Sequence, residues 1–112
     1  MRRVLAASAL LLIATACGEH DVSRMIGARC DDSDECDERC LQPGNDYPGG
    51  FCTLVCDDDR DCPGDAVCVD EEGGVCLFTC ERTTSCDFLG AGWTCVVRNG
   101  QPDGTVMVCR GA

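Results

Sequence analysis

Cysteine is the residue type here whose number and spacing could do chemistry: thirteen occur in 112 residues. A thiol can ligate a soft metal, exchange with a disulfide, bear a lipid, or close a structural bridge. The odd count separates one cysteine from the rest. Cys17 follows Ala14, Thr15 and Ala16, at the end of a short apolar run behind Arg2 and Arg3. Residues 1–16 read as a secretory signal peptide, too short to stay as a membrane span. Ile13 to Gly18 resembles the bacterial lipobox, in which lipoprotein signal peptidase exposes a cysteine for acylation. Ala14 departs from the leucine usual there. Lipidation of Cys17 leaves an even set of twelve, which suits an exported protein. The expected location is then the cell envelope, in the outer membrane of a Gram-negative bacterium, with free secretion as the alternative.

The twelve others fall into three units of four: Cys30, Cys36, Cys40, Cys52; then Cys56, Cys62, Cys68, Cys76; then Cys80, Cys86, Cys95, Cys109. The first gap is five residues in every unit, and three-residue links join successive units. The second and third gaps vary, which marks them as loops. Metal ligation is disfavoured. The close spacing is Cys-x3-Cys rather than the Cys-x2-Cys knuckle, and the one histidine, His20, stands outside the repeats. Thiol exchange also lacks its usual Cys-x2-Cys pair.

Carboxylates are the second candidate set. Asp31, Asp32, Asp34 and Glu35 crowd the first loop; Asp57, Asp58, Asp59 and Asp61 crowd the second. Clustered hard oxygens suit calcium. The corresponding third loop, Glu81 to Ser85, keeps one acid, and no EF-hand spacing is present. The bland reading is a solvated, self-repelling surface. Catalysis finds less support, because no nucleophile has a base beside it in the repeats. The formal net charge of −11, with arginine but no lysine, argues against nucleic acid as a direct partner.

Elements must hold these residues in place. Trp93 to Arg98 and Thr105 to Cys109 are β-rich runs around the turn formers of Asn99 to Gly104. Ala66 to Val69 and Val75 to Phe78 flank Asp70 to Gly74 in the same way. Weaker strands surround Leu41 and Phe51. The fold class is therefore small and disulfide-rich, mostly β and loop. It comprises three tandem hairpin units, about 30–52, 56–76 and 80–109, stacked in an elongated domain over 28–112, with little or no helix after the signal peptide. Residues 17–27 read as a lipidated tether reaching about 35 Å when extended.

Two staples from each acidic loop to its hairpin favour pairing first with third and second with fourth cysteine. That gives Cys30–Cys40, Cys36–Cys52, Cys56–Cys68, Cys62–Cys76, Cys80–Cys95 and Cys86–Cys109. Spacing alone permits three connectivities per unit, and more if bridges cross units. With few large apolar residues, the bridges carry much of the stability. Trp93 and Phe78 are expected in what core exists. Phe88 and Leu89 are expected as an exposed patch, and Tyr47 as a further anchor.

Cys56 to Cys68 carries a Cys-x5-Cys-x5-Cys core. The spacing resembles the Cys-rich repeats of small exported bacterial lipoproteins. It is also similar to the Dickkopf N-terminal region and, more loosely, to EGF-like modules. Such families imply binding or spacer modules and no chemistry. The sequence thus points to a membrane-anchored, noncatalytic binding or structural module with an unidentified protein or surface partner. Alternatives are a calcium-dependent adhesion module, or a hydrolase inhibitor displaying the loop from Gln42 to Gly50.

Overall fold

The computed structural model describes residues 22–111. The signal peptide, Cys17 and His20 lie outside the described residues. Each unit is a short 3-10 turn followed by an antiparallel hairpin. In chain order these are η1 (Ser33–Glu35), β1 (Arg39–Leu41) and β2 (Phe51–Thr53); η2 (Asp59–Asp61), β3 (Ala66–Val69) and β4 (Val75–Phe78); η3 (Thr83–Leu89), β5 (Trp93–Asn99) and β6 (Thr105–Gly111). No α-helix occurs among the described residues. The small, disulfide-rich, mostly β class expected from the cysteine pattern is the fold observed.

Register explains why the repeat is so regular. The third and fourth cysteines sit directly opposite each other in every hairpin: Cys40 with Cys52, Cys68 with Cys76, Cys95 with Cys109. They do not bond to each other. Each reaches back to the 3-10 turn, giving Cys30–Cys40 and Cys36–Cys52, Cys56–Cys68 and Cys62–Cys76, Cys80–Cys95 and Cys86–Cys109. The Cα separations run from 5.3 to 6.0 Å, the ordinary span of a disulfide. In units one and two the five-residue first gap holds one 3-10 turn between two bridges, and in unit three that turn runs on through Cys86 to Leu89. Six disulfides mark the chain as a protein of an oxidising, exported compartment.

The units do not form the elongated stack that the sequence suggested. They close on one another in a triangle. Units one and two join at the Val55–Val75 bridge. There the Thr53 hydroxyl, fully buried, donates to the Cys76 carbonyl at 2.6 Å and accepts from the Cys76 N–H at 3.1 Å. Units two and three join at Val69–Gly100 and Thr79–Val108. Unit one then meets unit three directly. The Trp93 indole donates to the Pro48 carbonyl at 3.0 Å, and Gly111 N–H donates to the Asp46 carbonyl at 2.7 Å. A Cβ at Gly111 would run into the Asn45 backbone, so only glycine lets β6 approach this closely.

One apolar core spans all three units. Phe51 lies between Phe78, edge-on at 5.9 Å, and Trp93 at 5.4 Å. Leu77, Val69, Val75 and Val108 are completely buried around them. The apolar residues that looked scattered in sequence are gathered by the closure of the triangle. Unit one contributes a second, much smaller cluster made of its own four cysteines with Ala28 against them. Unit one thus holds its own turn and hairpin together mainly through its bridges.

Three sequence expectations change here. The tether is shorter than residues 17–27. Residues 22–27 fold into a turn closed by Ser23 N–H donating to the Ile26 carbonyl at 2.8 Å. Ile26 enters the core at 4% exposure, and Gly27 N–H donates to the Cys52 carbonyl. Leu89 is buried, so it forms no exposed patch, whereas Phe88 stays 38% exposed with its ring on Phe78 at 5.4 Å. The loop from Gln42 to Gly50 is no free display loop: Asp46, Tyr47 and Pro48 pin its second half to unit three.

Candidate functional site

The acidic loops come first, since their chemistry was the open question. In unit one, Asp32 caps η1 by accepting from the Asp34 N–H at 3.0 Å. Glu35 reaches back to the N–H groups of Asp31 and Asp32, completing a capping box. Unit two repeats this. Asp58 accepts from the Arg60 N–H at 2.8 Å, and Asp61 accepts from the Asp57 N–H at 2.9 Å. The Arg60 guanidinium hydrogen-bonded to Asp58 holds that carboxyl below its ordinary range.

A third role recurs in all three units. The third residue after the first cysteine is Ser33, Asp59 or Thr83. Its side-chain oxygen accepts from the backbone N–H of the third cysteine, at 3.3, 2.9 and 3.5 Å respectively. That N–H points away from the hairpin, so without this acceptor it would have no ladder partner. The signal was present in the sequence as three oxygen-bearing side chains at one repeat position. Attention to charge hid it, because two of the three are uncharged.

These arrangements bear on the calcium expectation for Asp31, Asp32, Asp34, Asp57, Asp58, Asp59 and Asp61. Four of the acids in the two loops carry η-turn hydrogen bonds (Asp32, Glu35, Asp58 and Asp61), and Asp59 tethers a strand. Among the described residues, no three carboxylates gather at ligand spacing. The close groups there are cysteine trios, such as Cys56, Cys62 and Cys76, whose sulfurs are already in disulfides. The tether predicts a specific result. Asp59→Ala should cost about 1–2 kcal/mol in denaturant unfolding by orphaning the Cys68 N–H. Asp57→Ala, which removes no side-chain hydrogen bond, should change stability by less than about 0.5 kcal/mol.

The second site is the junction where the three units meet. The hairpin turn of unit two carries Glu71 inward. Its Oε1 accepts from the Tyr47 hydroxyl of unit one at 2.9 Å and from Arg110 Nε of unit three at 2.9 Å. Its Oε2 pairs with Arg98 Nε at 2.8 Å. Arg110 also lies over the Tyr47 ring, 5.5 Å from its centroid, and pairs with Asp46 at 3.4 Å. Burial, then the hydrogen bond to Glu71, pushes the Tyr47 phenol well above its ordinary 10.0. Burial opposes charge on Arg110, but Glu71 outweighs it and raises the guanidinium further. Beside this cluster, Arg39 donates to the Glu72 carbonyl at 2.7 Å. An open, polar cleft of about 480 Å³ runs from Arg39 along Gln42 to Tyr47.

No family model, curated protein or solved structure matches this chain.

Its chemistry is therefore read from the geometry alone. The junction has the parts of a reactive site, a phenol beside a carboxylate and guanidinium groups. Their arrangement is that of a clamp. Each of the two Glu71 oxygens is engaged, and the Tyr47 proton is held rather than released. No sequence rule would have found this cluster. Tyr47, Glu71, Arg98 and Arg110 share no motif, and only the closure of the triangle brings them together.

Proposed function

We propose that this protein is a membrane-anchored, noncatalytic module of the cell envelope, lipidated at Cys17. It displays a disulfide-clamped surface to a protein or surface partner. One observation carries the reading: the side chains equipped for chemistry are engaged in the scaffold. The twelve repeat cysteines form bridges, the acidic turns serve backbone N–H groups, and Glu71 joins three units. A scaffold of this kind needs no bound cofactor. The lipobox-like segment ahead of Cys17 and the even cysteine remainder support the anchor. Acyl chains contribute about 0.8 kcal/mol per buried methylene, so several together hold a protein on a membrane. The outer membrane of a Gram-negative bacterium is the location this signal suits. A net charge of −11 disfavours nucleic acid as a partner.

The test is metabolic labelling with palmitate in cells expressing the full chain or its Cys17→Ser variant. Label should enter the parent protein and be absent from the variant. Equal labelling of both would contradict the anchor. Affinity capture from envelope extracts, with the same pair, then identifies the partner that the display surface holds.

A further inference from the structure

The turn at residues 22–27 changes where the domain sits relative to its anchor. Ile26 is in the core and Gly27 is hydrogen-bonded to β2, so the chain is fixed to the domain from Val22 onward. Five residue steps separate Cys17 from Val22, a reach of at most about 18 Å. A domain on so short a leash presents its N-terminal face to whatever holds Cys17.

That face carries exposed apolar side chains beside the solvent-exposed Arg24–Asp37 ion pair. Val22 and Met25 are 47% and 42% exposed. Both adjoin Phe78: Met25 lines a shallow depression with it, and Val22 and Phe78 both pack on the Gly27 position. Phe88, 38% exposed, meets Phe78 edge-on with ring centroids 5.4 Å apart. Exposed apolar side chains clustered where an anchored chain enters the domain are what an interfacial contact requires.

We infer that Val22, Met25 and Phe88 form a lipid-facing foot, which rests on the bilayer surface beside the acyl chains of Cys17. The inference rests on the anchor proposed above. The chain is strongly acidic, so the contact is apolar rather than electrostatic, and an uncharged phosphatidylcholine surface suffices. The foot fixes the orientation of the domain. The face away from Val22 then points to the solvent.

The chain supplies its own control. Met107, on β6, is 43% exposed, matching the 42% of Met25. The lipid-bearing full chain, purified from cells, is reconstituted in phosphatidylcholine vesicles and exposed to dilute peroxide. Sulfoxide formation at each methionine is followed by mass spectrometry, which also reports the mass of the Cys17 peptide. Met25 should oxidise about five-fold more slowly on vesicles than in the unanchored Cys17→Ser protein, while Met107 keeps one rate in both. Equal rates at Met25 and Met107 on vesicles, with lipid present on Cys17, would overturn the foot and leave the anchor standing. A Cys17 peptide without lipid would remove the anchor, and the foot with it.

Discussion

Reduction of the six disulfides should unfold the domain at neutral pH and room temperature, with complete loss of the near-UV dichroism of Trp93 and Tyr47. The size of the effect follows from loop closure. The bridges span sequence separations from 10 to 23 residues, and each such loop contributes roughly 3 kcal/mol in the chain-entropy treatment. These contributions do not simply add. A domain of this size is nonetheless stable by only about 5–15 kcal/mol, so losing two or three bridges is enough. In unit one the bridges hold the turn to the hairpin, because the cluster between them is four cysteines with one alanine, while Leu41, Tyr47 and Phe51 belong to the shared core. Cys36→Ala combined with Cys52→Ala should therefore cost about 2–5 kcal/mol by denaturant titration. A fully reduced protein that keeps its native near-UV spectrum would show that the apolar core suffices without the bridges.

The second large effect lies at Glu71. Glu71→Ala leaves the Tyr47 hydroxyl and two guanidinium groups without their shared acceptor. Glu71 and Arg110 are 15% and 14% exposed, so both charges are largely removed from water. Stranding one partner of a buried pair costs about 3–5 kcal/mol. Arg110 keeps its pair with Asp46, and Arg98 is 35% exposed and recovers part of its solvation, which places the expected loss at about 2–3 kcal/mol. In a domain this small the melting temperature should fall by roughly 10–20 °C. Glu72→Ala removes a more exposed pair with Arg39 and should cost less than about 1 kcal/mol.

The same junction gives stability an alkaline limit. The folded state raises the Tyr47 pKa above the unfolded 10.0. The stabilisation is therefore fully present below pH 10 and is lost as pH rises from there toward the folded value. Above pH 10 the unfolded state sheds the phenolic proton first, and stability should fall by about 1.4 kcal/mol per pH unit. Tyr47 is the sole tyrosine, and the chain has no lysine to titrate beside it. Tyr47→Phe should abolish this slope.

Covalent geometry made the units legible in the sequence. A disulfide tolerates a narrow range of Cα separation, so fixed gaps around cysteines translate into fixed local structure. The hairpins were legible because β-branched runs flank glycine-rich turns. The triangle was not legible. The Trp93 indole meeting the Pro48 carbonyl, or Glu71 meeting Arg110, bridges distant positions with no periodic trace. Ile26 was hidden in the same way: beside Val22 and Met25 in a short flank with no periodicity, it reads as tether until a core is found beneath it. The acidic turns were legible in outline and misleading in meaning. Their recurring feature is an oxygen acceptor at Ser33, Asp59 and Thr83, and net charge obscures it.

The repeated scaffold depends on the bridges staying within units. Mass-spectrometric mapping of the native protein, cleaved in the links at Leu54 and at Leu77 or Phe78 and partially reduced, reads the connectivity directly. The expected pairs are Cys30–Cys40, Cys36–Cys52, Cys56–Cys68, Cys62–Cys76, Cys80–Cys95 and Cys86–Cys109. A bridge joining two units, or one joining opposite hairpin cysteines such as Cys68 and Cys76, would contradict the repeated scaffold.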